Sequence, residues 1–242
     1  MGDLSAVARD LAPAGTLRAA VNLGNPVLAH GTPAEPGGVT VDLAREVAAR
    51  LDVPVELVCF DAARKSFEAL TSGAADLGFL AIEPARAAQV AFTAPYVVIE
   101  GVYVVAHDSP FEAPADVDRP DVRIGVKEGS AYDLYLTRTL RHATIVRGDD
   151  GVTAFETQGL EAAAGIRGPI TAYAAAHPAT RVLPGRFMEI RQAVGTTPDR
   201  RPETIAFLRE LVEELKASGF VADALRRANQ PDATVAPPEA AG

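Results

Sequence analysis

The segment Asp76-Leu-Gly-Phe-Leu-Ala-Ile-Glu-Pro-Ala-Arg-Ala87 joins a short apolar run to the start of a helix. The run from Asp76 to Ala81 predicts a buried strand. Pro84 is typical of the first turn of a helix, where a backbone N–H is not needed. Ile82 and Glu83 therefore mark the point at which a strand ends and a helix begins. In open α/β sheets, ligands gather at junctions of this kind.

The same alternation of strand and helix extends outward from this segment over residues 16–105. Strands are predicted at residues 16–22 and 55–60, and a helix capped by Thr40 at residues 41–51. Residues 25–38 contain three prolines and predict a long loop, and long loops in compact domains are often functional. Short apolar runs alternating with helical periods are typical of βαβ units, so we predict an α/β fold with a largely parallel sheet.

A second group of elements begins after Ser109. A strand is predicted at residues 122–126 and a helix at 131–140, and further strands and helices follow. The last strong pattern, residues 203–228, predicts an amphipathic helix whose apolar stripe is interrupted at Ser218 and Gly219. The tail from Pro231 is expected to be loose. These patterns predict a second α/β lobe.

The composition of the 242-residue chain is that of a globular protein, with 48% apolar and 23% charged residues. The net charge of −9, without a basic run, argues against nucleic-acid binding. The apolar stretches are far shorter than the ~20 residues of a membrane helix, so we expect no membrane insertion. The single cysteine, Cys59, excludes an internal disulfide and a Cys-rich zinc site. The histidines lack metal-ligand spacing, so we expect no metal and no cofactor.

Five stretches with recognisable motifs are spread along nearly the whole chain. The most specific stretch is Glu-Pro-Ala-Arg-Ala followed by Val-Ala-Phe-Thr-Ala-Pro-Tyr, within residues 83–96. The others are Gly-Val-Thr-Val-Asp-Leu-Ala at 38–44 and segments within residues 69–76, 124–130 and 213–219. In their order along the chain, these stretches resemble the family 3 extracellular solute-binding proteins, which are the polar amino-acid receptors of ABC importers.

This resemblance implies a type II periplasmic-binding-protein fold, with two α/β lobes joined by two crossing strands, a ligand cleft between them and hinge closure around the ligand. Lobe 1 is expected at residues 1–101 and 195–242, and lobe 2 at residues 102–194. The implied partners are a small anionic or carboxylate ligand and an ABC permease, and we expect a monomer. Charged residues near the N-terminus do not fit a signal peptide. We therefore expect either a periplasmic protein whose leader has been removed or a cytoplasmic protein.

The resemblance places Arg86 at the arginine that grips an α-carboxylate. A planar guanidinium fits that role because it presents two parallel donors to two carboxylate oxygens. The resemblance also implies that Gly129, Ser130 and Ala131, where a helix begins, receive the other side of the same anion. Two plainer interpretations stay open: Arg86 as a solvated surface residue and Ser130 as an ordinary helix N-cap.

Other positions depart from the family pattern. Arg167 stands where the family's aspartate meets the ligand's ammonium group, and a cation repels an ammonium. Ala81 and Glu83 replace a hydroxyl residue and a cap threonine, and the first loop, around Asn25, lacks the usual aromatic residue. We therefore expect an anionic ligand such as a dicarboxylate or keto acid, unless Arg167 faces solvent. Glu83 is open to three interpretations: a partner for an amine, a proton donor, or a residue at a helix start.

Binding without turnover is the preferred interpretation, because no catalytic constellation stands out. One enzyme class remains as the alternative: a cyclohexadienyl-dehydratase-like derivative of the same fold, in which a buried carboxylic acid protonates a leaving hydroxyl group. A cytoplasmic or receptor-linked ligand sensor is a further alternative that these residues do not separate from a transport component.

Overall fold

The computed structural model describes residues 4–239 of the chain. The helices in this range are α1 (Ser5–Leu11), α2 (Val39–Leu51), α3 (Ala63–Thr71), α4 (Pro84–Ala87), α5 (Ala131–Thr139), α6 (Gly151–Gln158), α7 (Arg167–Ala176), α8 (Pro202–Ala217) and α9 (Phe220–Arg227). The strands are β1 (Leu17–Asn22), β2 (His30–Gly31), β3 (Pro36–Gly37), β4 (Val55–Phe60), β5 (Leu77–Ala81), β6 (Ala91–Ala106), β7 (Arg123–Lys127), β8 (Thr144–Gly148), β9 (Ala162–Ile166), β10 (Thr180–Val182), β11 (Met188–Thr196) and β12 (Thr234–Val235). The predicted α/β class is confirmed.

The chain folds into two compact units. The first unit consists of residues up to Val98 together with those from Arg191 onward, and the second consists of Ile99–Ile190. Strands β6 and β11 each contain one of these boundaries, so the chain passes from unit to unit within strands.

In the first unit, β4, β1 and β5 are neighbours in that order and run parallel. Asn22 of β1 lies beside Phe60 of β4, and Ala20 of β1 lies beside Gly78 of β5. Helices α2 and α3 supply the crossovers that parallel strands require. The carboxyl ends of all three strands therefore share one edge of the sheet.

The core of the first unit is formed by apolar side chains where helices cover this sheet. Leu70, Leu80 and Val90 form one buried cluster. Each fully buried side chain of this size stabilises the fold by ~1.5–3 kcal/mol. Strand β11 extends the sheet by pairing antiparallel with β5.

Helix α2 begins differently from the prediction, because its N-cap is Gly38 and not Thr40. Gly38 has a φ of 104°, and a Cβ there would lie 2.5 Å from the carbonyl oxygen of Leu28. The N–H of Thr40 donates to that same oxygen at 3.1 Å. Leu28 is itself buried, so part of the segment predicted as a loop packs into the core.

The C-terminal tail is anchored, so the prediction of a loose tail was wrong for its described residues. Strand β12 pairs antiparallel with Val97 and Val98 of β6. The buried ammonium group of Lys216 donates a 2.9 Å hydrogen bond to the carbonyl oxygen of Pro237. Backbone pairing holds this segment, and composition alone does not reveal such pairing.

In the second unit, β8, β7 and β9 run parallel, with Ile124 of β7 beside Ala162 of β9. Strand β9 then pairs antiparallel with β6, with Gly101 beside Ile166. The parallel arrangement expected from the sequence therefore holds for three strands of each unit, whereas the crossing strands β11 and β6 pair antiparallel with β5 and β9. The buried core cluster contains Val102, Val104, Ala154, Phe155, Leu160, Ala163 and Ile170.

Gly125 of β7 permits a close approach to the start of α6. A Cβ at Gly125 would lie 2.3 Å from the carbonyl oxygen of Gly151. We expect Gly125→Ala to lower the free energy of unfolding by about 1–3 kcal/mol through overpacking. Gly148→Ala is the matched control, because the nearest atom to a Cβ at Gly148 is 3.6 Å away. Urea unfolding followed by circular dichroism measures both variants, and equal stability of the two would contradict this prediction.

Candidate functional site

The predicted binding residues of the first unit lie at the carboxyl edge of its parallel strands. Asn25 follows β1, and Ala81 ends β5 just before Glu83 and Arg86. Strands β1 and β5 are direct neighbours, so the two segments leave the sheet at the same edge. This is the edge at which α/β proteins bind ligands.

Arg86 lies in α4 and is only 3% exposed. Its Nη1 donates to the carbonyl oxygen of Ala81 at 3.2 Å. Burial lowers the pKa of Arg86 from 12.5 to about 10, and the negative charge of Glu83 opposes that shift. The guanidinium is therefore still charged at neutral pH, but it sits where solvation of that charge is poor. A carboxylate placed against it would gain a strong charge-assisted hydrogen bond.

Glu83 is also buried, with 4% of its surface exposed. Its backbone carbonyl accepts hydrogen bonds from the N–H groups of Arg86 and Ala87, both at 2.9 Å. Its side chain does not cap α4. Glu83 is nevertheless the N-cap residue of α4, so the interpretation of Glu83 as a residue at a helix start agrees with its position. The buried carboxylate also remains a candidate contact for a ligand.

Asn25 is 7% exposed, and its Oδ1 has no hydrogen-bond partner within the described part of the chain. Its backbone carbonyl accepts from Leu28 and Ala29, which fixes the turn. A buried amide oxygen without a partner costs about 1–3 kcal/mol. Asn25 therefore offers an acceptor to a hydrogen-bond donor.

In the second unit, Ser130 is the N-cap of α5 and its Oγ accepts from the N–H of Asp133 at 3.1 Å. The carboxylate of Asp133 in turn accepts from the N–H of Gly129 at 2.8 Å. Ala131 is the first residue of the helix and is buried. The ordinary capping role of Ser130 is therefore present, and an internal carboxylate already uses one of the N–H groups expected to meet a ligand.

Arg167 is the first residue of α7, and its charge is paired. Its Nε lies 2.5 Å from Oε2 of Glu100, and its Nη2 donates to the carbonyl oxygen of Gly185 at 2.6 Å. A second guanidinium, that of Arg186, donates to Oε1 of Glu100 at 2.7 Å. The positive charge at this position is therefore paired with a carboxylate of the same unit.

Sequence reasoning did not identify Glu100 as a functional candidate. A signal was available, because Glu100 is the one charged residue of the 16-residue strand β6. Sequence reasoning also missed a pocket of about 410 Å³ in the first unit, lined by Leu23, Pro33, Cys59, Phe60, Asp61 and Lys65.

Two observations on residues 4–239 concern membranes and metal ions. No helix there is both long and apolar enough to cross a membrane. No group of three or more His, Cys, Asp or Glu side chains there could hold a metal ion.

Two α/β units linked through crossing strands define the class of type II periplasmic binding proteins. The family model described as bacterial extracellular solute-binding proteins, family 3, matches residues 17–228. The chain belongs to this family and is a solute-binding protein. Family members are typically extracellular or periplasmic and work with ABC transporter permeases. The comparison with curated proteins gave no match.

Solved structures show the same fold. A mutant of ArgBP from T. maritima has a TM-score of 0.75 at 21% identity, covering 93% of this chain and 99% of that chain. The amino acid ABC transporter substrate-binding protein AbpA from Streptococcus pneumoniae, bound to L-arginine, has a TM-score of 0.74 at 18% identity, covering 90% and 96%. An ancestral amino acid-binding protein, AncCDT-1, described as a precursor of cyclohexadienyl dehydratase, has a TM-score of 0.70 at 22% identity, covering 89% and 95%. At these identities the likeness concerns the fold alone.

Proposed function

We propose that this protein captures a small carboxylate-bearing molecule for uptake by an ABC permease. The observation that carries the proposal is the buried guanidinium of Arg86 at the carboxyl edge of the first unit's sheet. Because solvation is poor at this position, a charge-assisted hydrogen bond from Arg86 to a ligand carboxylate would be stronger than the same bond in water. A bidentate carboxylate is the partner that best matches the geometry of a guanidinium.

Asn25 further restricts the functional groups expected on the ligand. Its buried Oδ1 calls for a donor such as a hydroxyl, amide or amino group. The proposed ligand therefore combines a carboxylate with a hydrogen-bond donor on the same small molecule.

We propose that the hydrogen-bond donor on the ligand is a neutral group. An ordinary zwitterionic amino acid is therefore disfavoured, because its donor is a charged ammonium group. Arg167 stands where the resemblance would place an aspartate for the ammonium group. The neighbouring carboxylate of Glu100 is already bound by two guanidinium groups. The L-arginine carried by the S. pneumoniae relative is therefore not the expected ligand here.

We propose an extracytoplasmic protein that acts as a monomer and closes around its ligand. Small-angle X-ray scattering tests the last two points, since the mass should be that of one chain and the radius of gyration should fall on ligand addition. An unchanged radius of gyration at saturating ligand would contradict closure.

A thermal-shift screen of hydroxy acids, keto acids, dicarboxylates and amino acids tests the ligand class. A ligand at 100 times its dissociation constant should stabilise the protein by about 2.7 kcal/mol. We expect the largest shifts from carboxylates that carry a neutral donor. An L-amino acid as the tightest ligand would contradict the proposed class, and the absence of any carboxylate hit would contradict the proposed function.

Product analysis on every hit tests the alternative of a cyclohexadienyl-dehydratase-like enzyme. The same fold occurs in AncCDT-1, which is described as a precursor of such an enzyme. Prephenate is the substrate to include, because a cyclohexadienyl dehydratase removes a hydroxyl group from a dicarboxylate of this kind. Consumption of a hit at catalytic rates would replace the binding-only proposal with a carbon–oxygen lyase, in which the buried Glu83 is the candidate proton donor.

A further inference from the structure

We propose that Glu100 neutralises the charge of Arg167, so that the site selects ligands with one carboxylate over dicarboxylates. This inference rests on the proposed function, because it assumes that Arg167 belongs to the ligand site. Glu100 affects specificity through Arg167, as a positioning and neutralising residue.

The position of Arg167 in the second unit supports its place at that site. Strands β7 and β9 run parallel, with Gly125 beside Ala163. Continuing this register to the carboxyl ends of both strands brings Arg167 level with the turn at Gly129. Arg167 therefore lies at the ligand-binding edge of this sheet, at the point where β9 ends and α7 begins.

The sheet register also fixes Glu100 opposite Arg167. Gly101 of β6 pairs with Ile166 of β9 in an antiparallel ladder. Glu100, which precedes Gly101, therefore lies opposite Arg167, which directly follows the end of β9. Opposite charges at such facing positions attract each other. The 2.5 Å contact between Arg167 and Glu100 is the result. The pair is set by backbone geometry and not by two flexible surface side chains that happen to meet.

A second arginine is held on the same carboxylate by the neighbouring backbone. Phe187 donates its N–H to the carbonyl oxygen of Gly101 at 3.0 Å, which brings Arg186 beside Glu100. Arg186 also donates to Glu189 at 2.7 Å. The two arginines and two glutamates of this group have a net charge of zero.

Glu100 is ionised in this arrangement. Burial raises the pKa of Glu100, but hydrogen bonds from Arg186 and Arg167 outweigh that effect, and the pKa lies below its ordinary value. With 27% of its side chain exposed, Glu100 is screened only in part by solvent. Removing its charge would leave the group with a net charge of +1, centred on the two guanidiniums.

The contrary interpretation is that Glu100 only stabilises the fold. Affinity for one ligand does not separate the two roles, whereas the ratio of affinities for two ligands of the same shape and different charge does. Succinate and succinamate are such a pair, since an amide replaces one carboxylate. Glutarate and glutaramate repeat the comparison with a longer chain.

The experiment measures the affinities of these four probes by calorimetry for wild type, Glu100→Gln, Glu161→Gln and the double variant Glu100→Gln/Arg167→Gln. Wild type should prefer each monoamide. Glu100→Gln should shift the ratio toward the dicarboxylate by about 10-fold, because one charge interaction near a protein surface has this order of magnitude. Glu161→Gln is the matched control, because Glu161 also pairs with an arginine of the second unit, Arg123, but at the opposite, amino end of β7 and β9. It should shift the ratio less than about twofold, and the double variant should return toward wild type.

The outcomes separate this inference from the proposed function. Wild-type binding of the probes, with an unchanged ratio in a folded Glu100→Gln protein, would overturn the inference and leave the proposed function standing. A shift in Glu100→Gln that persists in the double variant would overturn the role of Arg167. If wild type and Glu100→Gln bind no probe and no carboxylate of the wider screen, both proposals fail. A melting curve of each variant shows that it is folded.

Discussion

Asp76→Asn is expected to destabilise the folded protein by about 3–5 kcal/mol, because it removes the charge from a buried ion-pair network. Asp76 is fully buried and follows α3 at the start of β5. Its carboxylate accepts from Nε and Nη2 of Arg18 at 2.9 and 2.8 Å and from Nη2 of Arg200 at 3.1 Å. An amide nitrogen in place of one oxygen would face a guanidinium donor and could not accept from it.

The backbone of Asp76 adds to the same junction. Its N–H donates to the carbonyl oxygen of Arg18 at 2.8 Å, and its own carbonyl accepts from Oγ1 of Thr196 at 2.9 Å. One residue therefore ties together the start of β1, the start of β5 and the end of β11. The loss of its charge should lower the stability of the whole first unit and not only that of a local turn.

The exposed pair between Arg50 and Glu214 is a matched control. It has the same two-pronged geometry, with hydrogen bonds of 3.0 and 2.8 Å, and it also joins distant segments of the first unit. The Glu214 side chain is 57% exposed, so Glu214→Gln should cost no more than about 1 kcal/mol. Urea unfolding of both variants measures the difference, and equal losses would refute the claim that burial makes the Asp76 network strong.

The sequence predicted the parts of the fold that depend on local pattern. The strand at Val55–Phe60 has the predicted bounds, and the helical break at Ser218 and Gly219 separates α8 from α9. Pro84 correctly marked the start of the helix that carries Arg86. These features follow from periodicity and from the fixed φ of proline, which act within a few residues.

The features that the sequence did not predict depend on contacts between distant residues. Thr40 has the side chain of a helix cap, but the packing of Gly38 against Leu28 starts the helix earlier. Likewise, prolines and small residues predicted a loose tail from Pro231, yet β12 pairs with β6. Local preference is a weak guide where tertiary contacts decide.

The candidate site shows the same division. Arg86 and Glu83 could be placed beside each other from the motif alone, because they lie within one helical turn. The partner of Arg167 could not, because Glu100 lies 67 residues earlier and only the antiparallel register of β6 and β9 brings the two together. Arg167 considered without Glu100 suggested a cationic site, whereas the pair of Arg167 and Glu100 has no net charge.

Arg86→Ala is expected to weaken binding of the best carboxylate from the ligand screen by about 2–5 kcal/mol, the range for losing one partner of a desolvated charge pair. The side chain is 3% exposed, so little water is available to replace it around the ligand's carboxylate. Arg86→Lys should restore only part of the affinity, because an ammonium group keeps the charge and loses the planar fork that binds two oxygens at once. Calorimetric titration measures both variants.

Arg226→Ala is the control for this series, since the Arg226 side chain is 74% exposed and pairs with Asp223 on its own helix. It should leave the affinity unchanged. The melting temperatures of the ligand-free proteins separate a loss of binding from a loss of folding. Stability can change in these variants, because burial lowers the pKa of Arg86 and the folded protein therefore carries an energetic cost for this charge. Folded Arg86→Ala and Arg86→Lys proteins that both bind as tightly as wild type would show that Arg86 serves the structure of the β5–α4 junction and does not hold the carboxylate.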